Sequence, residues 1–235
     1  MPWSIKAALA RVGPLVSEST VHTLNAMLNY LETGRWLAAH ELRSRVRRRT
    51  DKELFDLILA DVAAERVLYL EFGVYRGESM RYWASKLTHP ESALHGFDSF
   101  EGLPEHWNID TRRGHFSTAG ALPQIADPRV RFFKGWFSET LPGYVAPPHD
   151  RLVVNLDADL YSSTIEALQG IRALIVPGTY LYFDEFADRM NELRAFAEFV
   201  EATSLAFTLV AASPALTHVV FRCTANTRDR GATKG

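Results

Sequence analysis

A single cysteine, Cys223, in 235 residues excludes an intrachain disulfide. It lies in the last apolar run, where it reads as a small packing residue rather than a nucleophile. No apolar stretch reaches the ~18–20 residues that a membrane span requires. The N-terminus, MPWSIKAALARVGPLV, carries one lysine and only a short apolar segment, too weak for a signal peptide. No membrane association and a reducing, cytoplasmic setting are the expectations. Neither sign of charge dominates, since 26 Lys and Arg against 28 Asp and Glu leave a net charge of −2. That argues against a nucleic-acid partner, which calls for a basic surplus. Also missing are G-x-G-x-x-G, a phosphate loop ending in G-K-[ST] and any Cys/His set with zinc spacing. No internal repeat is visible. What remains is a chain with 47% hydrophobic and 11% aromatic residues, enough for one well-filled domain with additions.

Residues 15–64 carry few turn signals and several helical patterns. Ser19 or Thr20 is placed to cap a helix running through Tyr30. Asp51 is placed to cap another, with apolar residues at 54, 55, 58, 59 and 62. The basic cluster Arg43–Arg49 (RSRVRRR) reads as the solvated face of a helix, with an anionic partner or an oligomer contact as the alternative. From residue 67 the texture changes. Strands are expected at 67–72, 93–98, 130–135, 151–157 and 179–186, with helices at 78–87, 162–175 and 189–203. Ser162 or Ser163 is the expected cap of the second of these helices. Segments 206–212 and 217–223 flank a Ser213-Pro214 turn, short enough for an antiparallel hairpin. Alternating β and α segments imply a parallel sheet covered on both faces. The expected division is a helical segment over 1–64, an α/β domain over 65–223 and a disordered polar tail over 224–235. Residues 99–129 form a long irregular stretch starting where the second strand ends, so they are expected to be functional or mobile.

The most informative stretch is LYLEFGVYRGES, residues 68–79. A strand ends in an acid, and a glycine-punctuated turn then leads into a helix. Gly73 and Gly77 remove Cβ atoms that would block a ligand, and the helix start aims free N–H groups at the same space. The spacing E-x-G-x-x-x-G suits S-adenosylmethionine (SAM). Four strand ends carry acids: Glu71, Asp98, Asp157 with Asp159, and Asp184 with Glu185. In a parallel sheet these ends converge, and packed carboxylates repel one another, so they call for a task. Asp98 suits the two ribose hydroxyls. Glu71 suits the turn or the methionine amino group. Trp136 and Phe137 follow the third strand, where adenine could stack or where they could simply pack. Asp157, Asp184 and Glu185 form a set of hard oxygen ligands suited to Mg²⁺ or Ca²⁺, able to orient a hydroxyl and lower its pKa.

The motifs FGVYRGES, GFDSFEGLPE, KGWFSETLP, LDADLYSST and PGTYLYFDEF, in this order, closely resemble the macrocin O-methyltransferase family. The resemblance runs from about Leu68 to Phe199. It implies a class I SAM-dependent methyltransferase fold: a seven-stranded, mostly parallel sheet with a C-terminal antiparallel hairpin, helices on both faces, and an N-terminal helical lid that also makes oligomer contacts. It implies SAM and Mg²⁺ as cofactors and a sugar hydroxyl of a natural product as methyl acceptor. Carried over by position, Glu71, Gly73, Tyr75, Gly77 and Ser79 surround the methionine portion, Asp98 and Ser99 the ribose, and Trp136 the adenine. Asp157, Asp184 and Glu185 would hold the metal, with Asp157 also touching the donor and acting as general base, and Asp159 second in that role. The chain departs from the family's usual pattern at Glu185, where aspartate is common, and at Ala158, where glycine is common. His106 and His115, in the long loop, are minor candidates for the base, whereas His95 and His218 read as packed strand residues. Two other readings remain: a metal-independent enzyme methylating an amine or carboxylate, and a SAM-binding scaffold without turnover. A homodimer is expected on general grounds.

Overall fold

The computed structural model describes residues 1–107 and 111–226. The chain opens with three helices, α1 (Trp3–Val12), α2 (Glu18–Ala39) and α3 (Asp51–Val62). The α/β part follows as β1 (Val67–Phe72), α4 (Glu78–Lys86), β2 (Ala93–Asp98), β3 (Val130–Lys134), α5 (Phe137–Thr140), β4 (Arg151–Leu156), α6 (Tyr161–Gly170), β5 (Tyr180–Phe183), α7 (Glu192–Ala202), β6 (Leu205–Ala212) and β7 (Val219–Asn226).

One seven-stranded sheet has the order β3-β2-β1-β4-β5-β7-β6. The first five strands are parallel, whereas β7 runs antiparallel to both β5 and β6. The period-two alternation of β1 divides two cores. Leu68, Leu70 and Phe72 join Ala167, Leu168, Phe196 and Phe199 of α6 and α7 on one face. Val67 and Tyr69 join Leu54, Ile58, Met80 and Trp83 of α3 and α4 on the other. Glu71 shares the second face, which explains a burial unusual for a carboxylate (1% exposed).

Several local expectations need correction. Ser17, not Ser19 or Thr20, caps α2 by accepting from Thr20 N–H. Thr50, not Asp51, caps α3, in a reciprocal capping box with Glu53. Neither Ser162 nor Ser163 caps α6; they lie inside it, beyond Leu160. Helix α6 ends at Gly170, and Arg172–Leu174 continue as a 3₁₀ turn. The arginine cluster is not a helix. It is an extended strap whose Arg47 bridges Ala212, with Arg48 N–H donating to the Ala212 carbonyl and Ala212 N–H to the Val46 carbonyl. The strap covers the outer edge of β6 and satisfies part of its free backbone. Strand pairing won over helix propensity because that edge offers partners that the isolated sequence does not reveal. Residues 224–226, expected in the tail, belong to β7; residues 227–235 lie outside the described residues.

Candidate functional site

Register places the acids. Phe72 pairs with Phe97 on β2 and Leu156 on β4, and Leu156 pairs with Phe183 on β5. Asp98, Asp157 and Asp184 each follow one of these paired residues, so all three stand one step beyond this row, Asp98 still paired with Lys134 of β3. Asp157 N–H donates to the Phe72 carbonyl and Asp184 N–H to the Leu156 carbonyl, which ties the strand ends together. Glu71 sits one row deeper.

Two cavities open at this edge. The first, about 450 Å³, is lined by Gly73, Asp98, Ser99, Trp136, Asp159, Glu185 and the loop residues Leu103, Trp107 and Phe116, among others. The second, about 500 Å³, is lined by Glu71, Ser79, Asn155 and Tyr182 with Thr50, Asp51 and Lys52 from the start of α3. Tyr75, Asp157 and Asp184 line both. The sequence-predicted residues therefore fall around one bipartite space, with one exception. Gly77 lines neither cavity; a Cβ there would meet Pro123 at 3.0 Å, and its φ of +75° starts α4.

Gly73 has a packing role in addition to the one expected. A Cβ at this position would lie 1.8 Å from the backbone oxygen of Asp157, and φ is +89°. The glycine lets β1 and β4 close on each other rather than clearing room for a ligand alone. Two non-glycine residues beside it also occupy the left-handed region, Tyr75 at φ 50° and Asp159 at φ 59°. Strained backbone of this kind persists where surrounding structure over-determines it.

Asp98 already has work to do. Its Oδ2 accepts from Val74 N–H and Tyr75 N–H, both at 2.8 Å, and its Oδ1 from Phe100 N–H at 2.6 Å. It pins the turn after β1 to the turn after β2. A carboxylate has about four acceptor positions, so one lone pair remains for a ribose hydroxyl. Ser99 is likewise engaged, donating to the Gly102 carbonyl and accepting from Glu101 N–H. In both residues the sequence pointed to a ligand contact, and the structure adds a turn-building role.

The electrostatics are those of crowded, dehydrated carboxylates. Burial, then the charges of Asp184 and Asp159, hold Asp157 well above its ordinary range. Burial and the charges of Asp184, Glu185 and Asp188 raise Asp159 to about 7. Burial also raises Glu71 well above normal, although the Tyr69 hydroxyl donates to its Oε2 at 3.3 Å. Asp184 is the exception. It is lowered despite burial, because His218 Nδ1 lies 3.0 Å from its Oδ1 and the Tyr182 hydroxyl donates to the same oxygen at 2.7 Å. His218 is raised correspondingly. Sequence reasoning treated His218 as packing only; its place on β7 beside β5 was invisible without the hairpin register.

The expected metal ligands Asp157, Asp184 and Glu185 share the first cavity. Among the described residues, however, no three His, Cys, Asp or Glu side chains stand close enough to hold one ion. The reason is visible in their tethers. Asp184 is turned to Tyr182 and His218, while the backbone N–H of Glu185 is held by Glu192 Oε2 at 2.9 Å. The donor chemistry fits a hard divalent cation, while binding one requires these side chains to move together.

His106 and His115 do not reach the cavity wall. His106 Nδ1 accepts from Arg113 N–H, and His115 packs edge-on against Phe116. His95 meets the Tyr144 hydroxyl and is lowered to about 4 by burial and Arg131. Several lining residues had no clear sequence signal. Thr50, Asp51 and Lys52 come from the helical front piece, and Trp107 and Phe116 from the long loop. An aromatic residue in a long loop starting at the sheet's ligand edge was the only available hint for the last two.

No described helix is long and apolar enough to cross a membrane. In sequence, the chain is 34% identical over 142 residues to an 8-demethyl-8-(2,3-dimethoxy-α-L-rhamnosyl)-tetracenomycin C 4'-O-methyltransferase of Streptomyces olivaceus, covering 50% of this chain and 52% of that one. It is 32% identical over 102 residues to a mycinamicin III 3''-O-methyltransferase of Micromonospora griseorubida, covering 42% and 37%. The chain thus matches about half or less of the length of these curated relatives. In structure it is similar to the O-methyltransferase NovP, with a TM-score of 0.60 at 23% identity over 74% of this chain and 79% of that one. It is also similar to the calicheamicin methyltransferase CalS11, with a TM-score of 0.53 at 20% identity over 94% and 86%. Likeness at that identity establishes the fold: the sheet order and closing hairpin are those of class I SAM-dependent methyltransferases. The sequence profile for macrocin O-methyltransferase (TylF) matches residues 38–214, from the last turn of α2 through β6, and the chain belongs to that family.

Proposed function

We propose that this chain is a SAM-dependent O-methyltransferase acting on a hydroxyl of a small-molecule natural product, such as a sugar of a glycosylated metabolite. The observation that carries the reading is the pair of cavities sharing Tyr75, Asp157 and Asp184. A donor lying from Trp136 and Asp98 toward Glu71 and Ser79 would bring its sulfonium past Asp157. An acceptor entering beside Asp159 and Glu185 would meet it there.

When bound, SAM supplies an electrophilic methyl group, with the carbon–sulfur electron pair leaving on sulfur as the carbon–oxygen bond forms. The chain's own residues align, dehydrate and take a proton. Alignment of two bound reactants supplies much of the rate. Asp159 is the residue whose raised value, about 7, best suits accepting the hydroxyl proton at neutral pH. Burial and the charges of Asp184 and Asp159 raise Asp157 well above its ordinary range, so a positive charge beside it would favour its ionised form. A carboxylate acceptor is disfavoured by the same crowd of negative groups.

Mg²⁺ is part of the proposal. Asp157, Asp184 and Glu185 would hold it, and it would supply charge neutralisation at the acceptor oxygen. Burial and then the charge of Asp184 raise both Asp157 and Glu185, a load that a dication beside them would relieve, and this supports the proposal. Self-association is proposed as well, supported by apolar side chains left open along α2.

The test has two parts. Thermal unfolding with S-adenosylhomocysteine, with and without Mg²⁺, should show a donor-dependent rise; a ligand at 100 times its Kd adds about 2.7 kcal/mol. Mass spectrometry of a hydroxylated glycoside panel should then show the gain of one methylene. No rise with S-adenosylhomocysteine would sink the reading.

A further inference from the structure

The two cavity tryptophans differ from the other three. Trp83 stacks on Tyr69, Trp36 packs against Phe186 and Phe196, and Trp3 is 85% exposed at the terminus. Trp107 and Trp136 line the first cavity, and among the described residues neither ring meets another aromatic ring or a cation. A large flat face without a partner in a cavity is a surface for a ligand. The two lie toward opposite ends of the space. Trp136 follows β3, beside Asp98 and Gly135. Trp107 is tied to the loop after β5, its Nε1–H donating to Asp188 Oδ2 at 3.1 Å. Strands β3 and β5 are four spacings apart in the sheet, about 19 Å. One ring cannot serve both ends. Trp136 stands on the donor side of the acid cluster. Trp107 stands on the far side, where the charge of Asp188 acts on Asp159 and Glu185.

We propose that Trp107 is the platform for the methyl acceptor, and that Asp188 is the positioning residue that sets its tilt. The inference rests on the O-methyltransferase reading and names the acceptor side of that site. The ligand chemistry follows from the platform. It is a hydroxylated ring with a flat C–H or aromatic face, laid on the indole so that one edge hydroxyl points to Asp159. The support around Trp107 is stiff. Asp188 also accepts from Met190 N–H at 3.0 Å and from Asn191 Nδ2 at 2.8 Å, so it has little freedom to release the indole. Two residues earlier in the loop, Glu105 Oε1 accepts from Ser162 Oγ at 2.6 Å. The segment bearing Trp107 is therefore pinned both to α6 and to the loop after β5.

The experiment uses the full chain saturated with S-adenosylhomocysteine and titrates p-nitrophenyl α-L-rhamnopyranoside and methyl α-L-rhamnopyranoside by calorimetry, with a parallel titration of S-adenosylhomocysteine. Trp107→Ala should weaken the glycosides about tenfold, the scale of one aromatic contact, and leave S-adenosylhomocysteine within about twofold. Trp136→Ala should do the reverse. Trp107→Phe should recover part of the glycoside affinity, because it keeps a face and loses the N–H that Asp188 holds. Asp188→Asn retains an acceptor oxygen and should stay near wild type, whereas Asp188→Ala should match Trp107→Phe. Unchanged glycoside binding in Trp107→Ala overturns the proposal, as does an equal loss of both ligands. A wild-type protein that binds S-adenosylhomocysteine but neither glycoside also overturns it, while leaving the donor site intact; failure to bind S-adenosylhomocysteine removes the underlying reading instead.

Discussion

The N-terminal arm and the sheet domain use the same apolar residue types with opposite outcomes. In the sheet domain, Leu68, Leu70, Phe97, Val154 and Phe183 are wholly buried. In the arm, Trp3, Leu9, Leu15, Leu24 and Leu31 are more than half exposed, and α1 buries nothing. Only Thr33 and Leu37, near the end of α2, are buried. Between the two regions run polar ties from a single residue: Arg189 donates to Asn29 Oδ1 and Asn25 Oδ1 and pairs with Glu32. Periodicity shows that a helix has an apolar side; it does not say what covers it. The sheet supplied the cover for α3, α4, α6 and α7, whereas the first four turns of α2 have none among the described residues. Val21, Leu24, Leu28 and Leu31 repeat at three- and four-residue spacing, the seam of a helix that pairs with another helix.

The comparison breaks most sharply at Gly73. Gly73→Ala puts a methyl group onto the Asp157 carbonyl; a loss of about 3 kcal/mol or more is expected, with S-adenosylhomocysteine binding lost, as read by thermal unfolding and calorimetry. No single substitution in α1 should approach that. Next is Asp159→Asn, expected to cost ~10²–10⁴-fold in turnover by removal of a general base. The same variant should stabilise the ligand-free protein. The folded-state pKa of Asp159, about 7, lies above its unfolded value. The folded form therefore binds the extra proton, and its contribution to stability is lost as pH rises from about 4 to 7. Melting curves over that range should fall less steeply in Asp159→Asn than in wild type, and wild-type turnover should rise through about pH 7.

Smaller effects sharpen the comparison. Mg²⁺ alone should raise the melting temperature of the wild type, and Asp157→Asn should abolish that rise while leaving S-adenosylhomocysteine affinity within a few-fold. A metal response that survives the substitution would move the ion elsewhere. Smallest in intrinsic stability is removal of residues 1–16, expected to change unfolding free energy by under about 0.5 kcal/mol, because none of them is buried. In contrast, Leu24→Glu with Leu28→Glu should reduce the mass measured by light scattering at high concentration. An unchanged mass in that double variant would show that the arm does not mediate self-association.

Much of the site was legible because it rests on local signals. An acid at the end of an apolar run marks a strand end at a sheet's ligand edge, and five parallel strands bring such ends together whatever else the chain does. Glu71, Asp98, Asp157 and Asp184 were found this way. The arginine strap is not legible locally, since its partner is the edge of β6, some 165 residues away along the chain. His218 reads as a packed strand residue in the sequence, yet the hairpin returns it to Asp184. Trp107 was invisible as an individual residue, because a loop's path over a cavity depends on two tethers, Ser162 and Asp188, that no local pattern encodes.

Alternation, capping residues and turn chemistry decided by themselves that this chain would build a parallel sheet with a closing hairpin, and which strand ends would carry charge. Short-range backbone preference is enough for that. Tertiary structure alone decided how the carboxylates differ from one another. Asp184 is lowered while Asp157 and Asp159 are raised, because proton affinity depends on the solvent excluded and the donors within reach. Those are properties of neighbours distant in sequence, and they exist only once the chain has closed.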